Sequence, residues 1–243
     1  MRDWKGKRYW LVGASDGLGA ALALKMSRAG AHVIVSARSA DKLAAVVESL
    51  PNEGSVQVVD VSDDASVDQA ANAIGQIDGV VYLAGVYWPF AAQEWDAEKA
   101  TAMADINFTG LMRVMGRIVP QFVSRGAGHV VITGSLSGFR GLPGSIGYTA
   151  SKAGTMSLAE CMYADLRGSG VDVQVSNPGF IKTQLTDKND FSMPFIMTPD
   201  EAADHMFRHM NTDRFKNSFP TLFSWVFRGS QFLPDWLYFR IFS

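Results

Sequence analysis

The sequence is poor in cysteine and has no long run of apolar residues. Cys161 is the only cysteine among 243 residues, so no intrachain disulfide can form, which favours a reducing compartment. A membrane-spanning helix needs about 20 consecutive apolar residues, and no segment approaches that length. The polar start of the chain lacks the apolar run and cleavage site of a secretion signal. We therefore expect a cytoplasmic protein without a spanning segment.

The chain also lacks an excess of charge of either sign. Lysine and arginine number 22 against 24 for aspartate and glutamate, a formal net charge of -2. Because no basic surplus is available to attract phosphate backbones, we expect no nucleic-acid partner. The 47% of hydrophobic residues and the 23 glycines suit a large core with many tight turns. At this length we expect a single domain over residues 1–243.

Short β-branched or apolar runs alternate with segments of helical periodicity through most of the chain. We place strands at residues 9–12, 33–35, 56–59, 80–83, 130–133 and 171–175. Continuously apolar strands are typical of a parallel sheet covered by helices on both faces. The pattern predicts an α/β fold with a doubly wound parallel sheet.

The composition changes after Pro178. Residues 184–212 are expected to form a loop and a helix beside the substrate, with Thr198 as helix cap, Pro199 in the first position and Glu201 in the third. The remaining residues, 213–243, form an extension whose last 25 residues hold 9 of the 27 aromatic residues. These aromatics must pack against their own domain, form a subunit interface, or contact a membrane surface. We favour the first two.

Three glycines, Gly13, Gly17 and Gly19, join the first strand to a helical segment. Such glycines permit positive φ, close approach of a pyrophosphate, and tight packing of helix on strand, while the helix N-terminus attracts the anion. Their spacing differs from the G-x-G-x-x-G dinucleotide fingerprint, and an ordinary glycine-rich turn has the same appearance. The glycines alone therefore do not decide whether a dinucleotide binds.

Arg38 ends the second strand, where NAD-specific proteins carry an acidic residue about 20 residues beyond the glycines. A guanidinium can instead grip the 2′-phosphate of NADP, and Lys42 follows one helical turn later. We therefore favour NADP(H) over NAD(H), although surface charges would look the same. Asp60 follows the third strand and either binds the adenine amino group or caps the next helix.

Tyr148 and Lys152 lie four residues apart at the start of a predicted long helix, so that one helical face presents both. A free phenol titrates near pH 10, and a neighbouring ammonium group would stabilise its phenolate. This spacing also occurs by chance in helices, so the pair acquires meaning only from its context.

In this context the chain resembles the short-chain dehydrogenase/reductase family over nearly its whole length. The resemblance rests on the glycine turn, Asp60, Ala84-Gly85, Asn107, Ser135 thirteen residues before Tyr148, Lys152, and Pro178-Gly179 followed by Thr183. It implies a Rossmann-like fold, an oxidoreductase that interconverts carbonyl and alcohol groups, and a homo-oligomer. With Arg38 favouring NADPH, we expect reduction of a small-molecule carbonyl.

The resemblance also implies the roles of individual residues. Ser135 would hold the substrate oxygen and Tyr148 would transfer the proton. Lys152 would bind the nicotinamide ribose and lower the pKa of Tyr148, Asn107 would help to hold a water relay, and Thr183 would contact the nicotinamide. The full set of expected cofactor contacts is Gly13, Ser15, Asp16, Gly17, Leu18, Gly19, Arg38, Asp60, Val61, Ala84, Gly85, Tyr148, Lys152, Pro178, Gly179, Ile181 and Thr183.

Some positions depart from the family pattern. Tyr82 and Leu83 replace two asparagines before Ala84-Gly85, Val12 replaces a threonine, and Gly134 replaces the first serine of a pair. None of these changes removes a reacting group. They instead put cofactor affinity and local rigidity in question.

The expected substrate pocket is mostly apolar, which favours a hydrophobic ketone or aldehyde. Its candidate residues are Leu136, Phe139, Tyr87, Trp88, Phe180, Leu185, Phe191, Met193 and Phe195, with Arg140 and Lys182 as nearby cations. No metal site is expected, because His205 and His209 have no evident third ligand. Two alternative functions remain: a non-catalytic NADP(H)-binding sensor and a lipid-type reductase at a membrane surface, to which the aromatic extension would bind.

Overall fold

Seven strands pair in parallel within residues 2–189 and 191–242, the part of the chain that the computed structural model describes. Their order across the sheet is β3-β2-β1-β4-β5-β6-β7. The strands are β1 (Arg8–Val12), β2 (His32–Ser36), β3 (Gly54–Val56), β4 (Gly79–Tyr82), β5 (Gly128–Thr133), β6 (Val171–Pro178) and β7 (Lys216–Phe219).

Helices connect these strands and follow the last of them. Over the same residues they are α1 (Gly17–Arg28), α2 (Ala40–Glu48), α3 (Asp64–Ala73), α4 (Ala97–Ala104), α5 (Gly110–Arg125), α6 (Ile146–Asp165), α7 (Pro199–Met210), α8 (Thr221–Ser230) and α9 (Asp235–Phe242). A π-helical turn, Asp105–Thr109, joins α4 to α5.

The sheet separates two apolar cores. Adjacent side chains of β1 show this directly, because Trp10 belongs to one core and Leu11 to the other, and both are fully buried. Side chains of α3, α5 and α6 complete the first core, and those of α1, α2 and α7 complete the second. Both faces of each central strand are therefore covered, which confirms the doubly wound parallel sheet.

Two strands differ from the sequence prediction. The third was expected at 56–59, but regular pairing covers Gly54–Val56. Beyond it the chain keeps isolated hydrogen bonds from Gln57 and Val59 to the neighbouring strand, and Val58 is exposed. β7 was missed altogether, because its sequence Lys-Asn-Ser-Phe is mostly polar. Both are the edge strands of the sheet, where burial constrains the sequence less.

The capping box predicted for α7 is confirmed. The backbone N–H of Glu201 donates to the Thr198 hydroxyl at 3.2 Å, and the Glu201 carboxylate accepts from the backbone N–H of Thr198 at 2.8 Å. Pro199 occupies the first helical position, as predicted. The long helix predicted to begin near Tyr148 is also present, as α6.

A buried polar network ties the sheet to α7. The His129 imidazole is hydrogen-bonded to the Tyr9 hydroxyl and to the Gln174 side chain, each at 2.9 Å. His209 meets the Ser176 hydroxyl at 2.9 Å, and His205 stacks on Phe219. The histidine pair of α7 is therefore used in packing and hydrogen bonding. No cluster of three or more metal-ligating side chains occurs among residues 2–189 and 191–242.

The aromatic extension is only partly buried. Phe219 and Tyr238 are within the core, and Phe223 and Phe227 are half-buried. Several large apolar side chains of α8, α9 and the turn between them are instead exposed to solvent: Leu222, Trp225, Val226, Phe232, Trp236, Phe239 and Ile241. Packing against the domain thus accounts for part of the extension. None of the helices described is long and apolar enough to cross a membrane.

The buried histidines predict that stability falls in mild acid. Burial lowers the pKa of His129 from 6.5 to about 3, and it also lowers the pKa of His209. An unfolded chain takes up these protons near pH 6.5, whereas folded His129 resists them until about pH 3. The stabilisation is therefore complete above about pH 6.5 and is lost as the pH falls below it, by up to about 1.4 kcal/mol per pH unit for each group.

Urea denaturation at several values between about pH 7.5 and pH 5 measures how the free energy of unfolding changes with pH. This range spans the ordinary histidine pKa of about 6.5. We expect the free energy of unfolding to depend less on pH in His129→Gln than in the native protein. His32→Gln removes a half-exposed histidine of the same sheet and serves as the matched control. An equal slope in His129→Gln and the native protein would contradict the assignment.

Candidate active site

A cleft of about 470 Å³ lies beyond the carboxyl ends of β1, β4, β5 and β6. Strand order reverses between β1 and β4, and ligands of open α/β sheets bind at such a switch point. The cleft is lined by all the predicted site residues except Asn107, which lies behind it: Gly13, Ser15, Asp16, Gly17, Leu18, Gly19, Arg38, Asp60, Val61, Ala84, Gly85, Ser135, Tyr148, Lys152, Pro178, Gly179, Ile181 and Thr183.

The glycine turn has no room for side chains. Gly13 and Gly17 have φ values of 96° and 52°, in the left-handed region that favours glycine. A Cβ atom on Gly13 would come within 2.6 Å of the Cα of Ala84, and one on Gly19 would overlap the Gly13 carbonyl oxygen. Asp16 caps α1 by accepting from the backbone N–H of Gly17 at 2.6 Å. The turn therefore exposes bare backbone at a helix N-terminus, which fits a pyrophosphate.

Arg38, Lys42 and Asp60 stand together at one end of the cleft. Burial opposes the charge of Asp60, but hydrogen bonds from Ser62 and the positive charge of Arg38 outweigh it and lower the pKa of that carboxyl group. Asp60 does not cap α3, because Asp63 does so by accepting from the backbone N–H of Ala65 at 3.0 Å. The helix-cap alternative for Asp60 is therefore wrong.

The opposite part of the cleft holds Ser135, Tyr148 and Lys152. Tyr148 and Lys152 project from the first turns of α6, and Ser135 follows β5. The Ser135 side chain lies close enough to Tyr148 to lower the pKa of that phenol, and its hydroxyl is hydrogen-bonded to the Ser137 hydroxyl at 2.8 Å. Lys152 is only 4% exposed, and its ammonium group donates to the Thr133 carbonyl at 2.9 Å. Its Nζ atom lies 5.8 Å from the centre of the Tyr148 ring.

Burial opposes ionisation of both reactive groups. It raises the pKa of Tyr148 to about 12, against the lowering effect of the Ser135 side chain, and it lowers the pKa of Lys152 to about 8. Each shift favours the neutral form of its group. At neutral pH the site therefore holds a phenol beside an ammonium group, and the proposed lowering of the Tyr148 pKa by Lys152 has to overcome this burial.

Asn107 is fully buried in the π-helical turn. Its carbonyl oxygen accepts from the backbone N–H of Val86 at 2.7 Å, while its amide group donates to the Val86 carbonyl and to the Ser151 hydroxyl, each at 3.0 Å. The Ser151 hydroxyl in turn donates to the Tyr148 carbonyl. The Asn107 side chain thus fixes the segment after Ala84-Gly85 against the first turn of α6.

Comparison with known proteins agrees with this geometry. Residues 7–192 match the short chain dehydrogenase family. The chain belongs to the short-chain dehydrogenase/reductase family. It is therefore an oxidoreductase of the kind that acts on CH–OH and C=O groups, and its fold is one that binds NAD(P)(H).

Individual relatives cover most of the chain. An uncharacterized oxidoreductase of Myxococcus xanthus is 36% identical over 98% of this chain and 97% of its own length. A 1-deoxy-11-beta-hydroxypentalenate dehydrogenase of Streptomyces avermitilis is 32% identical over 84% of this chain and 81% of its own length. A short-chain dehydrogenase of Sphingobium yanoikuyae, solved in complex with NADPH, has the same fold, with a TM-score of 0.83 at 23% identity, covering 92% of this chain and 91% of that one.

The surroundings of two residues that depart from the family pattern, Tyr82 and Gly134, are visible in the structure. The hydroxyl of Tyr82 donates to the Ile106 carbonyl at 2.6 Å, so it supports the π-helical turn from the sheet side. At Gly134 a Cβ atom would overlap the carboxamide oxygen of Asn177 and approach Met156 at 3.1 Å. Tyr82 and Asn177 therefore take up positions near the site that the sequence did not predict.

On the substrate side, several expectations need correction. Phe139 packs against the first core and Arg140 is bound to the α8–α9 region, so neither faces the cleft. Leu185 does line it. Of the other candidates, Phe180, Phe191 and Phe195 instead form an aromatic cluster with Phe223 of α8.

Sequence reasoning also missed residues that shape the cleft. Thr133 supplies the carbonyl partner of Lys152, and the Thr186 hydroxyl donates to the Ile181 carbonyl at 2.7 Å and accepts from the backbone N–H of Thr183 at 3.0 Å. Backbone partners of this kind leave no pattern in a sequence. For Thr186, the only hint in the sequence was its short distance along the chain from its partners Ile181 and Thr183.

Gly19→Ala is expected to weaken cofactor binding and stability together. Its new Cβ atom would overlap the Gly13 carbonyl oxygen and lie 2.7 Å from the Cα of Ala14, so the turn has to shift. We expect at least about tenfold weaker binding of NADPH, equivalent to about 1.4 kcal/mol. Titration of NADPH fluorescence and urea denaturation measure the two effects. Gly116→Ala, in α5 with no heavy atom within 4 Å of the new Cβ, is the matched control; binding unchanged in Gly19→Ala would argue against this cradle.

Proposed function

We propose that the protein is an NADP(H)-dependent reductase of an apolar ketone or aldehyde. The observation that carries the proposal is a single cleft with Ser135, Tyr148 and Lys152 at one end and the exposed guanidinium of Arg38 at the other. A purely binding protein has no need for three such groups in one part of a cleft. The other end sets the choice of dinucleotide.

The preference for NADP(H) rests on charge. Arg38 and Lys42 line the cleft together with Asp60, and the charge of Arg38 reaches that carboxylate. An acidic side chain at the position of Arg38 would repel a 2′-phosphate, whereas a guanidinium can bind it with two hydrogen bonds. The Sphingobium neighbour, which was solved with NADPH, is consistent with this preference.

The proton chemistry falls to Ser135 and Tyr148. When bound, NADPH supplies the hydride that the carbonyl carbon receives. The Ser135 hydroxyl, which lines the cleft beside Tyr148, would hold the carbonyl oxygen. Tyr148 then donates its phenolic proton to that oxygen as a general acid.

Lys152 stabilises the phenolate that this transfer leaves behind. Burial lowers its pKa to about 8, so the ammonium form still predominates at pH 7. The Thr133 carbonyl holds the group in place. Asn107 acts as a positioning residue, since both hydrogens of its amide group are already used within the protein. The water relay remains a prediction from the family resemblance.

The substrate is assigned as apolar because two of the nearby cations, Arg140 and Lys188, are engaged elsewhere. Arg140 binds Asp235 and two backbone carbonyls. Lys188 donates to the Tyr87 carbonyl at 2.7 Å and lies 4.5 Å from the centre of the Trp88 ring. A cytoplasmic location and a homo-oligomeric state remain predictions.

Tyr148→Phe tests the catalytic assignment. Loss of a general acid lowers kcat by about 10²–10⁴-fold, while NADPH binding should stay within about threefold because the ring remains. A panel of apolar ketones and aldehydes, followed by NADPH absorbance, identifies a substrate for the assay. Tyr163→Phe, an exposed tyrosine of the same helix, is the control. Native turnover in Tyr148→Phe refutes the assignment, and NADPH binding without reduction of any carbonyl supports the sensor alternative instead.

Arg38→Ser tests the choice of cofactor. Because the guanidinium is assigned to the 2′-phosphate, we expect the Kd for NADPH to rise by about tenfold or more, the loss of a charge-assisted hydrogen bond, with the Kd for NADH almost unchanged. Parallel titrations with both dinucleotides give the ratio. Arg28→Ser, which removes an exposed arginine outside the cleft, controls for net charge. Equal weakening of both dinucleotides would overturn the NADP(H) assignment.

A further inference from the structure

The extension exposes large apolar side chains on α8, on α9 and on the turn between them, and we call this set the C-terminal apolar surface. It comprises Leu222, Trp225 and Val226 of α8, Phe232 of the following turn, and Trp236, Phe239 and Ile241 of α9. Phe232 is 89% exposed, Trp236 69% and Trp225 60%. Monomeric soluble proteins rarely leave large apolar side chains exposed in such numbers on one segment, and such patches mark interaction sites.

This surface is held firmly from its inner side. Arg140 donates to the carbonyls of Ser230 and Leu233 and pairs with Asp235. The Tyr238 hydroxyl donates to the Gly141 carbonyl at 2.7 Å, and Tyr238 is buried. The exposed aromatics are therefore the outer face of a docked helical pair and not a frayed end of the core.

Helical spacing separates the two faces. Leu222, Trp225 and Val226 follow the i, i+3, i+4 spacing that places side chains on one side of a helix. Ser224 and Ser230 of the same helix are buried. With 10 and 8 residues, α8 and α9 are far shorter than the about 20 residues that a membrane span requires. Helices of this kind lie in the plane of a lipid interface.

The charges around the surface have the sign that an anionic lipid surface attracts. The only acidic residue among residues 219–242 is Asp235, and Arg140 neutralises it. Arg228 lies over the Trp225 ring at 4.9 Å, and Arg240 is exposed between Phe239 and Ile241. This local positive charge contrasts with the net charge of -2 for the whole chain. Exposed tryptophan beside arginine is typical of the membrane interface.

The surface continues to the part of the cleft lined by Gly179, which we call its mouth, because a Cβ atom on Gly179 would lie 3.2 Å from the Phe223 ring. Phe223, on α8, lies 5.8 Å from the ring of Phe180 and 5.6 Å from that of Phe195. Phe191 and Phe195, in the loop after β6, are themselves about half exposed. A fluid lipid surface leaves the loop free to move, and it also dissolves apolar compounds.

We propose that the C-terminal apolar surface docks the enzyme on an anionic lipid surface, with the mouth of the cleft towards the lipid. The docking itself follows from the exposed side chains and their charges. Only the assignment of the mouth as the route for an apolar carbonyl dissolved in that lipid rests on the proposed function.

Vesicle flotation of the full chain tests the docking without any need for turnover. We expect the protein to float with vesicles of phosphatidylcholine and phosphatidylglycerol, and less with phosphatidylcholine alone. The triple variant Trp225→Ser/Phe232→Ser/Trp236→Ser should lose at least about tenfold in partition coefficient, or about 1.4 kcal/mol. Trp95→Ser removes a tryptophan that is likewise 60% exposed but lies outside this surface, and it should float like the native protein.

Two further measurements sharpen the test. Arg228→Ser/Arg240→Ser should weaken binding to the anionic vesicles only, because electrostatic attraction needs the anionic lipid. Titration with NADPH shows that each variant still has a folded cofactor site, so that loss of flotation is not loss of fold.

Three results would overturn the proposal: native protein that stays unbound with every vesicle, flotation unchanged in the triple variant, or a native dimer that the triple variant converts to a monomer in sedimentation velocity without vesicle binding. The last result would make the surface a subunit interface. Flotation as expected, with no apolar carbonyl reduced, would support the docking and refute only the proposed function.

Discussion

The parallel pairing of β1 with β4 is the constraint on which the site depends. The backbone N–H of Leu83 donates to the Val12 carbonyl at 2.7 Å, which brings the chain after β4 against the chain after β1. There Gly13 lies so close to the backbone of Ala84 that no residue with a side chain fits at position 13. The adjacent positions of β5 and β6 then place Ser135 and Pro178-Gly179 at the same edge of the sheet. Four separate segments thus share one cleft because the strands that carry them run in one direction.

Within that cleft the reactive groups are buried, and burial both restricts and protects them. It keeps Tyr148 as a phenol and brings the pKa of Lys152 down to about 8, at which the ammonium form still predominates at pH 7, and the Thr133 carbonyl accepts a hydrogen bond from that group. The π-helical turn supplies the rigidity around this pair. Asn107 bonds it to Val86 and Ser151 on one side, and Tyr82 bonds it to the sheet on the other. A tyrosine in place of an amide side chain therefore preserves an attachment between β4 and the turn.

The two ends of the cleft differ in chemical character. The end beside Arg38 and Lys42 is exposed and charged, which suits a phosphate. The other end leads through the cluster of Phe180, Phe195 and Phe223 to exposed aromatics on α8 and α9. Such a gradient would let a water-soluble cofactor and the apolar substrate proposed above approach from different sides. It also gives the aromatic extension a use that packing against its own domain does not explain.

The sequence alone was enough to identify the family, and every site residue predicted from it except Asn107 lines the cleft, because glycine spacing, strand periodicity and the Tyr148–Lys152 interval are local features of the chain. It also determined the cap of α7, whose hydrogen bonds join residues three apart. Other features depend on contacts between distant parts of the chain and were visible only in the folded structure. β7 is a polar edge strand, Asp60 leaves the capping of α3 to Asp63, and Arg140 is used by the extension. Which aromatics of the extension are exposed depends on contacts with Gly141 and Phe139, about a hundred residues away in the chain, and no local pattern encodes such contacts.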